Sequence, residues 1–211
     1  MTHAAAPRDQ VCLSSIDWGE LWQGPQEIMS HFARRGSRVL FVDNTGIRRP
    51  RPIGDARRIV ARLRSFAAGP GGRLGRDADG RITIVSPLVL PLPWSHWARV
   101  INRAVHADRV PALARAAGLR RPVVWTFLPT PLAVDTVRAF SRDRALAVYY
   151  CVADFEPVSD DPAAMRRSER ELLSEVDIVF AGGRVLQDRL RAHHPRVILT
   201  PYAVSDAFFE P

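Results

Sequence analysis

Seven short apolar segments alternate with helix-like stretches along the chain, and this alternation limits the folds that the sequence can adopt. The segments are residues 11–15, 38–43, 82–86, 123–126, 145–152, 178–181 and 197–200. Strands that alternate with helices pair in parallel, because two parallel strands need a crossover connection between them. The sequence therefore predicts the α/β class, with a single doubly wound, mainly parallel and Rossmann-like sheet.

The first two strands and the helix between them show this pattern most clearly. Pro25 stands where a first helical turn tolerates a residue without an N–H, and Gly36 stands where a glycine can end a helix. Between them the apolar residues recur at intervals of three and four: Ile28, Met29, Phe32 and Ala33. The pattern predicts a βαβ unit over residues 10–43, with one buried helix face.

Doubly wound sheets bind their ligands outside the carboxyl ends of the strands, so side chains that follow each strand are candidate contacts. Trp18 follows the first strand, and Asp154, Phe155 and Glu156 follow the fifth. Acids there could act as paired carboxylates of the glycoside-hydrolase kind at the cleft, but an aspartate in this position also caps turns, and both interpretations stay open. Asp43 ends the second strand as a ribose-binding acid would. The first strand-to-helix turn lacks the Gly-x-Gly-x-x-Gly pattern, so no nicotinamide cofactor is expected.

The chain has a net charge of +8, and all of its 30 basic residues are arginines. The lack of lysine excludes P-loop NTPases and Schiff-base aldolases. An arginine excess suits anionic partners, or it reflects compositional bias alone. The histidines lack metal-ligand spacing, so no metal site is expected. Cys12 and Cys151 lie in apolar segments, which favours inert core thiols over a disulfide framework.

A proline-rich apolar loop and a basic helix are the features that favour a membrane surface. The loop covers residues 87–94 and is followed by Trp97, and an arginine-rich amphipathic helix is predicted at residues 55–66. Rings of Trp94 and Trp97 would lie at headgroup level, with Arg57 and Arg58 on lipid phosphate. The alternative interpretation is that these residues cover the sheet.

The sequence contains no secretory signal and no apolar run long enough to cross a bilayer. We therefore expect a cytoplasmic protein, with peripheral binding to the inner face of the plasma membrane as an added hypothesis. No interleaved aromatic platform or recognition helix occurs, so nucleic acid is not an expected partner.

Five motifs occur in order along nearly the whole chain. They are Trp-Gln-Gly-Pro-Gln at residues 22–26, Phe-Ala-Arg-Arg-Gly-Ser-Arg-Val-Leu-Phe-Val at 32–42, Val-Tyr-Tyr-Cys-Val-Ala-Asp-Phe at 148–155, Val-Asp-Ile-Val-Phe-Ala at 176–181 and Pro-Tyr-Ala-Val at 201–204. This set resembles the N-terminal domain of GT-B glycosyltransferases of the family 4 type. It is most similar to the branch that builds teichuronic acid and other cell-surface polysaccharides.

The resemblance implies the acceptor-side, N-terminal half of a GT-B architecture, with residues 1–201 as the Rossmann-like domain and residues 202–211 as the start of an interdomain hinge. Such an enzyme moves a sugar from a nucleotide-sugar donor to a glycan or lipid-linked acceptor, and it needs no metal or other cofactor. Its donor binds to a second domain, whose paired glutamates do not occur in this chain. We therefore expect the chain to be inactive by itself.

The resemblance also implies which residues contact the acceptor, although it assigns no catalytic residue. Trp18 and Gln26 are the expected contacts near the first strand. Asp154, with Phe155 and Glu156 beside it, is the expected polar group after the fifth strand.

Two hypotheses from other functional classes stay open. A non-catalytic or split subunit would dock a donor-binding partner or associate with itself, and it predicts an exposed apolar face. A basic surface protein would bind anionic lipid or nucleic acid with an affinity that falls as salt rises.

Overall fold

A mixed sheet of eight strands runs through the part of the chain that the computed structural model describes, residues 7–43, 73–76, 80–87, 89–90 and 92–201. The strands are β1 (Gln10–Leu13), β2 (Val39–Val42), β3 (Arg73–Arg76), β4 (Ile82–Ser86), β5 (Val123–Thr126), β6 (Leu146–Cys151), β7 (Ile178–Ala181) and β8 (Val197–Leu199). Their order across the sheet is β3-β4-β2-β1-β5-β6-β7-β8. All neighbours are parallel except β3 and β4. The predicted mainly parallel, Rossmann-like sheet is confirmed.

Strand β3 is the element that the sequence prediction missed, because its glycine-rich surroundings indicated a flexible connection. It pairs antiparallel with β4, in a register that places Arg73 opposite Ser86 and Arg76 opposite Thr83. Glycine is depleted in strands, but an edge strand pairs through backbone groups and needs no apolar alternation of its own. The seven predicted strands are the other seven strands of the sheet.

Helices connect the parallel strands in the described chain. They are α1 (Gly24–Arg34), α2 (His96–Asn102), α3 (Val110–Ala116), α4 (Pro131–Ala139), α5 (Pro162–Leu173) and α6 (Arg184–Arg191). A π-helical turn (Arg103–Ala107) continues α2, and a 3₁₀ turn (Glu156–Val158) follows β6. The helix predicted at residues 55–66 and the hinge predicted at residues 202–211 lie outside the described residues. The assignment of residues 1–201 to half of a GT-B enzyme stays a prediction.

Apolar side chains cover both faces of the sheet, as alternation along a strand requires. In β1, Val11 and Leu13 belong to one core cluster with α3, α4, α5 and α6, whereas Cys12 belongs to a second cluster with α1. The two clusters lie on opposite faces of the sheet, so the central strands β1, β2, β5 and β6 are packed on both sides. The ends of the strands are left as the places where polar groups can gather.

A buried carboxylate ties the amino ends of the central strands together. Asp9, immediately before β1, accepts hydrogen bonds from the Arg38 backbone N–H at 3.3 Å and from the Arg38 Nε at 3.1 Å and Nη2 at 2.9 Å. The Oδ2 atom of Asp9, which accepts from Arg38 Nη2, also accepts from the Arg120 backbone N–H at 2.7 Å. The carboxylate therefore links the start of β1 to the segments that precede β2 and β5.

We expect Asp9→Ala to lower the free energy of unfolding by about 2–4 kcal/mol, because two backbone N–H groups and a guanidinium would lose their acceptor. Urea denaturation followed by circular dichroism measures this loss. The control is Asp143→Ala, which removes the exposed ion pair with Arg115 and should cost less than about 1 kcal/mol. Equal losses for both variants would contradict the role given to Asp9.

Candidate functional site

The strand order reverses between β1 and β5, and in open α/β sheets ligands bind beyond the carboxyl ends of the strands at such a point. From β1 the chain proceeds through β2 to β4 on one side, and β5 to β8 occupy the other side. The residues that follow β1, β2 and β5 therefore surround the candidate site.

Asp43 organises this end of the sheet. Its side chain is buried beyond β2, where Oδ1 accepts a hydrogen bond from the Trp18 backbone N–H at 2.8 Å. Its Oδ2 accepts a hydrogen bond from the hydroxyl of Ser86, the last residue of β4. One carboxylate thus fixes the loop after β1 to the ends of two neighbouring strands.

An aromatic pair forms the wall of the site on the α1 side of the sheet. The Trp18 ring packs edge-on against Phe41, with centroids 4.9 Å apart, and against Trp22, with centroids 5.5 Å apart. Trp22 is half exposed, and its indole Nε1 donates to Glu27 Oε2 at 2.7 Å. The sequence prediction named Trp18 but missed Trp22, although both lie in the same strand-to-helix loop.

Gln26 lies under this loop and is fully buried. Its Nε2 donates to the backbone carbonyls of Asp17 at 3.3 Å and Leu21 at 3.4 Å, while its Oε1 accepts from the Gln23 N–H at 3.0 Å. The amide therefore shapes the loop that carries Trp18 and caps the start of α1. Direct contact between Gln26 and an acceptor stays a prediction.

Asp154, Phe155 and Glu156 lie at the carboxyl end of β6. Asp154 is exposed, and its Oδ1 accepts the Glu156 backbone N–H at 3.1 Å, so it caps the 3₁₀ turn as the alternative interpretation proposed. Glu156 pairs with Arg166 at 3.0 Å. No recorded hydrogen bond or ring contact among the described residues joins these three to Trp18. Their contact with a ligand also stays a prediction.

The residues predicted to contact a membrane lie around α2 or outside the described chain. Trp97 is exposed, whereas Trp94 is partly buried and its indole Nε1 has no hydrogen-bond partner. Arg57 and Arg58 lie outside the described residues. None of the helices in the described ranges combines the length and the apolar character that a membrane span requires.

A small pocket with a mainly apolar lining lies between the ends of β1, β2 and β5 and the start of α4. Its polar lining consists of Ser14, Asp43, His106, Thr126, Thr130 and Thr136. Of these, only Asp43 drew attention in the sequence, where it was weighed as a ribose contact. Ser14, Thr126 and Thr130 could have been found as polar residues at strand ends or helix starts. His106 carried no such signal, because the π-helical turn brings it to the pocket from another element.

His106 is the uncommon member of this lining. Its side chain is buried, and its ring makes no recorded hydrogen bond to any described residue. Burial lowers the pKa of the His106 ring to about 4, so the imidazole is uncharged at neutral pH. Within the described ranges, no group of three His, Cys, Asp or Glu residues is placed to hold a metal ion.

Behind the site, a buried polar network holds β6 against α5 and α6. The Tyr149 hydroxyl donates to Glu169 Oε1 at 2.9 Å, and the Arg189 guanidinium donates to both Glu169 oxygens. Burial raises the pKa of Tyr149, and it raises the pKa of the neighbouring Cys151 thiol to about 11. Cys151 is therefore protonated at neutral pH, as is Cys12, whose pKa burial also raises.

We expect the buried His106 to make stability fall as the pH falls from 6.5 to about 4. The unfolded chain binds a proton at this histidine throughout that range and the folded chain does not, so acid favours unfolding by about 2–3 kcal/mol. The comparison is between wild type and His106→Leu. Unfolding free energies measured across this range should differ in pH dependence by that amount. His96→Leu, at an exposed position, should show no such difference.

No family model of known proteins matches the chain, and no curated protein matches it. The site is defined by the strand order, by the loop that Asp43 holds and by the side chains that line the pocket. The likeness to GT-B glycosyltransferases rests on the motifs of the sequence alone.

Proposed function

We propose that this chain is the acceptor-side domain of a glycosyltransferase that moves a sugar from a nucleotide-sugar donor to a glycan or lipid-linked acceptor. The observation that carries the proposal is the composition of the switch-point site. Its strand ends supply hydroxyls, a carboxylate and two tryptophans, whereas its first turn has no glycine-rich loop for a pyrophosphate. Such a site suits a sugar acceptor better than a nucleotide.

The aromatic pair supports binding of a carbohydrate. The C–H face of a pyranose ring is apolar and packs well on an exposed indole, while its hydroxyls need polar groups nearby. Trp22 offers an exposed face, and its contacts with Trp18 and Glu27 fix the ring before any ligand arrives. A ring that is already ordered loses little conformational entropy on binding.

From the charges of the site, we propose that the nucleotide-sugar donor binds to another protein surface. In sugar transfer, the acceptor oxygen bonds to the anomeric carbon, the bond from that carbon to the phosphate oxygen breaks, and the acceptor loses its hydroxyl proton. The departing nucleotide diphosphate needs cations or helix N-termini to stabilise its charge. Among the described residues no arginine lines the pocket, so we propose that the donor binds to a partner domain.

We expect the purified chain to bind a neutral oligosaccharide saturably and to leave UDP-glucose intact. Trp22→Ala should weaken binding about fivefold, the equivalent of losing about 1 kcal/mol of aromatic contact. Titration calorimetry with a panel of cell-wall oligosaccharides measures the affinity, and chromatography of the nucleotide measures turnover. Trp97→Ala, on another element, is the matched control. Turnover of UDP-glucose by the chain alone, or affinity equal in all three proteins, would refute the proposal.

An exposed apolar face on α2 and the turn after it favours a second, compatible role at an anionic membrane surface. Four apolar side chains are 40–56% exposed there: Trp97, Val100, Ile101 and Val105. The exposed Arg103 and Arg109 lie beside them in the sequence. A lipid-linked acceptor would be held near such a face, because apolar side chains and arginines suit the headgroup boundary.

We expect the chain to bind vesicles of phosphatidylglycerol and phosphatidylcholine, and to bind them less as salt is raised. The double variant Trp97→Ser/Ile101→Ser should lower the bound fraction several-fold in a flotation assay. Val185→Ser is the control, since Val185 is 83% exposed on α6. If the double variant still binds to vesicles, this face is not the membrane-binding surface. Concentration-dependent dimerisation that the double variant abolishes, without vesicle binding, would assign the face to a protein partner instead.

A further inference from the structure

The pocket at the switch point has hydrogen-bonding capacity that the protein does not use. The Ser14 hydroxyl oxygen accepts from the Ile16 N–H at 3.1 Å, and the Thr130 hydroxyl oxygen accepts from the Ala133 N–H at 3.2 Å. Neither hydroxyl proton has a recorded acceptor among the described residues. Both side chains are therefore ready to donate to a group inside the pocket.

Two further threonines of the pocket can accept hydrogen bonds. The Thr126 hydroxyl donates to the Leu128 carbonyl at 3.0 Å, and the Thr136 hydroxyl donates to the Leu132 carbonyl at 2.7 Å. Each proton is thus committed, but each oxygen keeps lone pairs that can accept. The lining offers donors and acceptors together, which suits a group that is itself both a donor and an acceptor.

His106 is the observation that points to a ligand. Its side chain is 5% exposed, it lines the pocket, and no described residue forms a recorded hydrogen bond with its ring. The ring nitrogens of His106 are not among the fully enclosed, unpartnered side-chain atoms of the described residues, so they keep access to open space in which a ligand atom can lie. A neutral imidazole has one donor nitrogen and one acceptor nitrogen, so a hydroxyl could satisfy either.

The charge of the lining residues and the volume of the pocket limit which chemical group can bind there. The lining formed by the described residues contains the Asp43 carboxylate and no arginine, and a neutral His106 adds no positive charge, so these residues disfavour phosphates and carboxylates. Its volume holds about one water-sized group. A single hydroxyl oxygen meets both conditions.

We propose that the pocket is a subsite for one hydroxyl group of an uncharged polyol ligand, oriented by Ser14, Thr130 and His106. The inference rests on the proposed function for the identity of the ligand, which would be the sugar acceptor. Asp43 connects the pocket to the aromatic wall, since its other contacts hold Trp18 and Ser86.

The test uses the intact 211-residue chain and ethylene glycol as the probe. Ring signals of His106 in ¹H–¹³C spectra should shift saturably with ethylene glycol. They should not shift with 1,2-dimethoxyethane, in which a methyl group replaces each hydroxyl hydrogen of ethylene glycol, or with inorganic phosphate. Signals of the exposed His96 should stay unchanged in every titration.

Three variants test the donors. Thr130→Val should weaken ethylene glycol binding at least fivefold, whereas Thr130→Ser, which keeps the hydroxyl and the helix cap, should retain it. Ser14→Ala should weaken binding similarly and serves if Thr130→Val does not fold. Equal shifts with ethylene glycol and its dimethyl ether, or with phosphate, would overturn the proposal. So would unchanged His106 signals, which would mean that the pocket holds a structural water only.

The outcome is separable from that of the proposed function. Ethylene glycol binding at His106 without oligosaccharide binding at Trp22 would keep the subsite and reject the glycan acceptor. Oligosaccharide binding that Trp22→Ala weakens, with no response at His106, would reject the subsite and keep the acceptor.

Discussion

The carboxylate of Asp43 is the contact on which the candidate site depends. A parallel sheet fixes the strands through backbone hydrogen bonds, but those bonds end where the strands end. Beyond that point, Asp43 takes the Trp18 N–H with one oxygen and the Ser86 hydroxyl with the other. It joins the loop after β1 to the ends of β2 and β4. The position of the tryptophans and one wall of the pocket follow from these two hydrogen bonds.

Asp9 has the matching role at the amino ends of the strands. It binds the backbone N–H groups of Arg38 and Arg120 as well as the Arg38 guanidinium. A buried carboxylate is stable only when its oxygens are satisfied, so each of the two aspartates requires nearby N–H or O–H donors in fixed positions. This requirement restricts the loops more than apolar packing does, because apolar contacts have no direction. The central strands are therefore fixed at both ends by directional contacts.

The sequence predicted the parallel strands well because each is an apolar run between helical stretches, and such runs are bound to be buried. It did not predict β3, whose pairing depends on the backbone of β4 and not on its own side chains. It named Gln26 as a ligand contact, which stays a prediction, but it did not foresee that the buried amide shapes the Trp18 loop. Nothing in the sequence indicated His106, because the π-helical turn that carries it reaches the strand ends only in the folded chain. Local sequence patterns predict secondary structure, whereas the pocket is lined by residues, such as Ser14 and Thr136, that are more than 100 positions apart in the sequence.

The positive charge of the chain does not determine the chemistry of the site, because the arginines near the core are already paired. Arg99 binds Asp135 and Glu171, Arg138 binds Glu171 and Glu175, and Arg189 binds Glu169. These pairs hold helices to one another, and hydrogen bonding to Asp135 raises the pKa of Arg99 further. A guanidinium committed to two carboxylates is poorly available to a phosphate. Among the described residues, these arginines therefore contribute no uncommitted cation to the site at the strand ends.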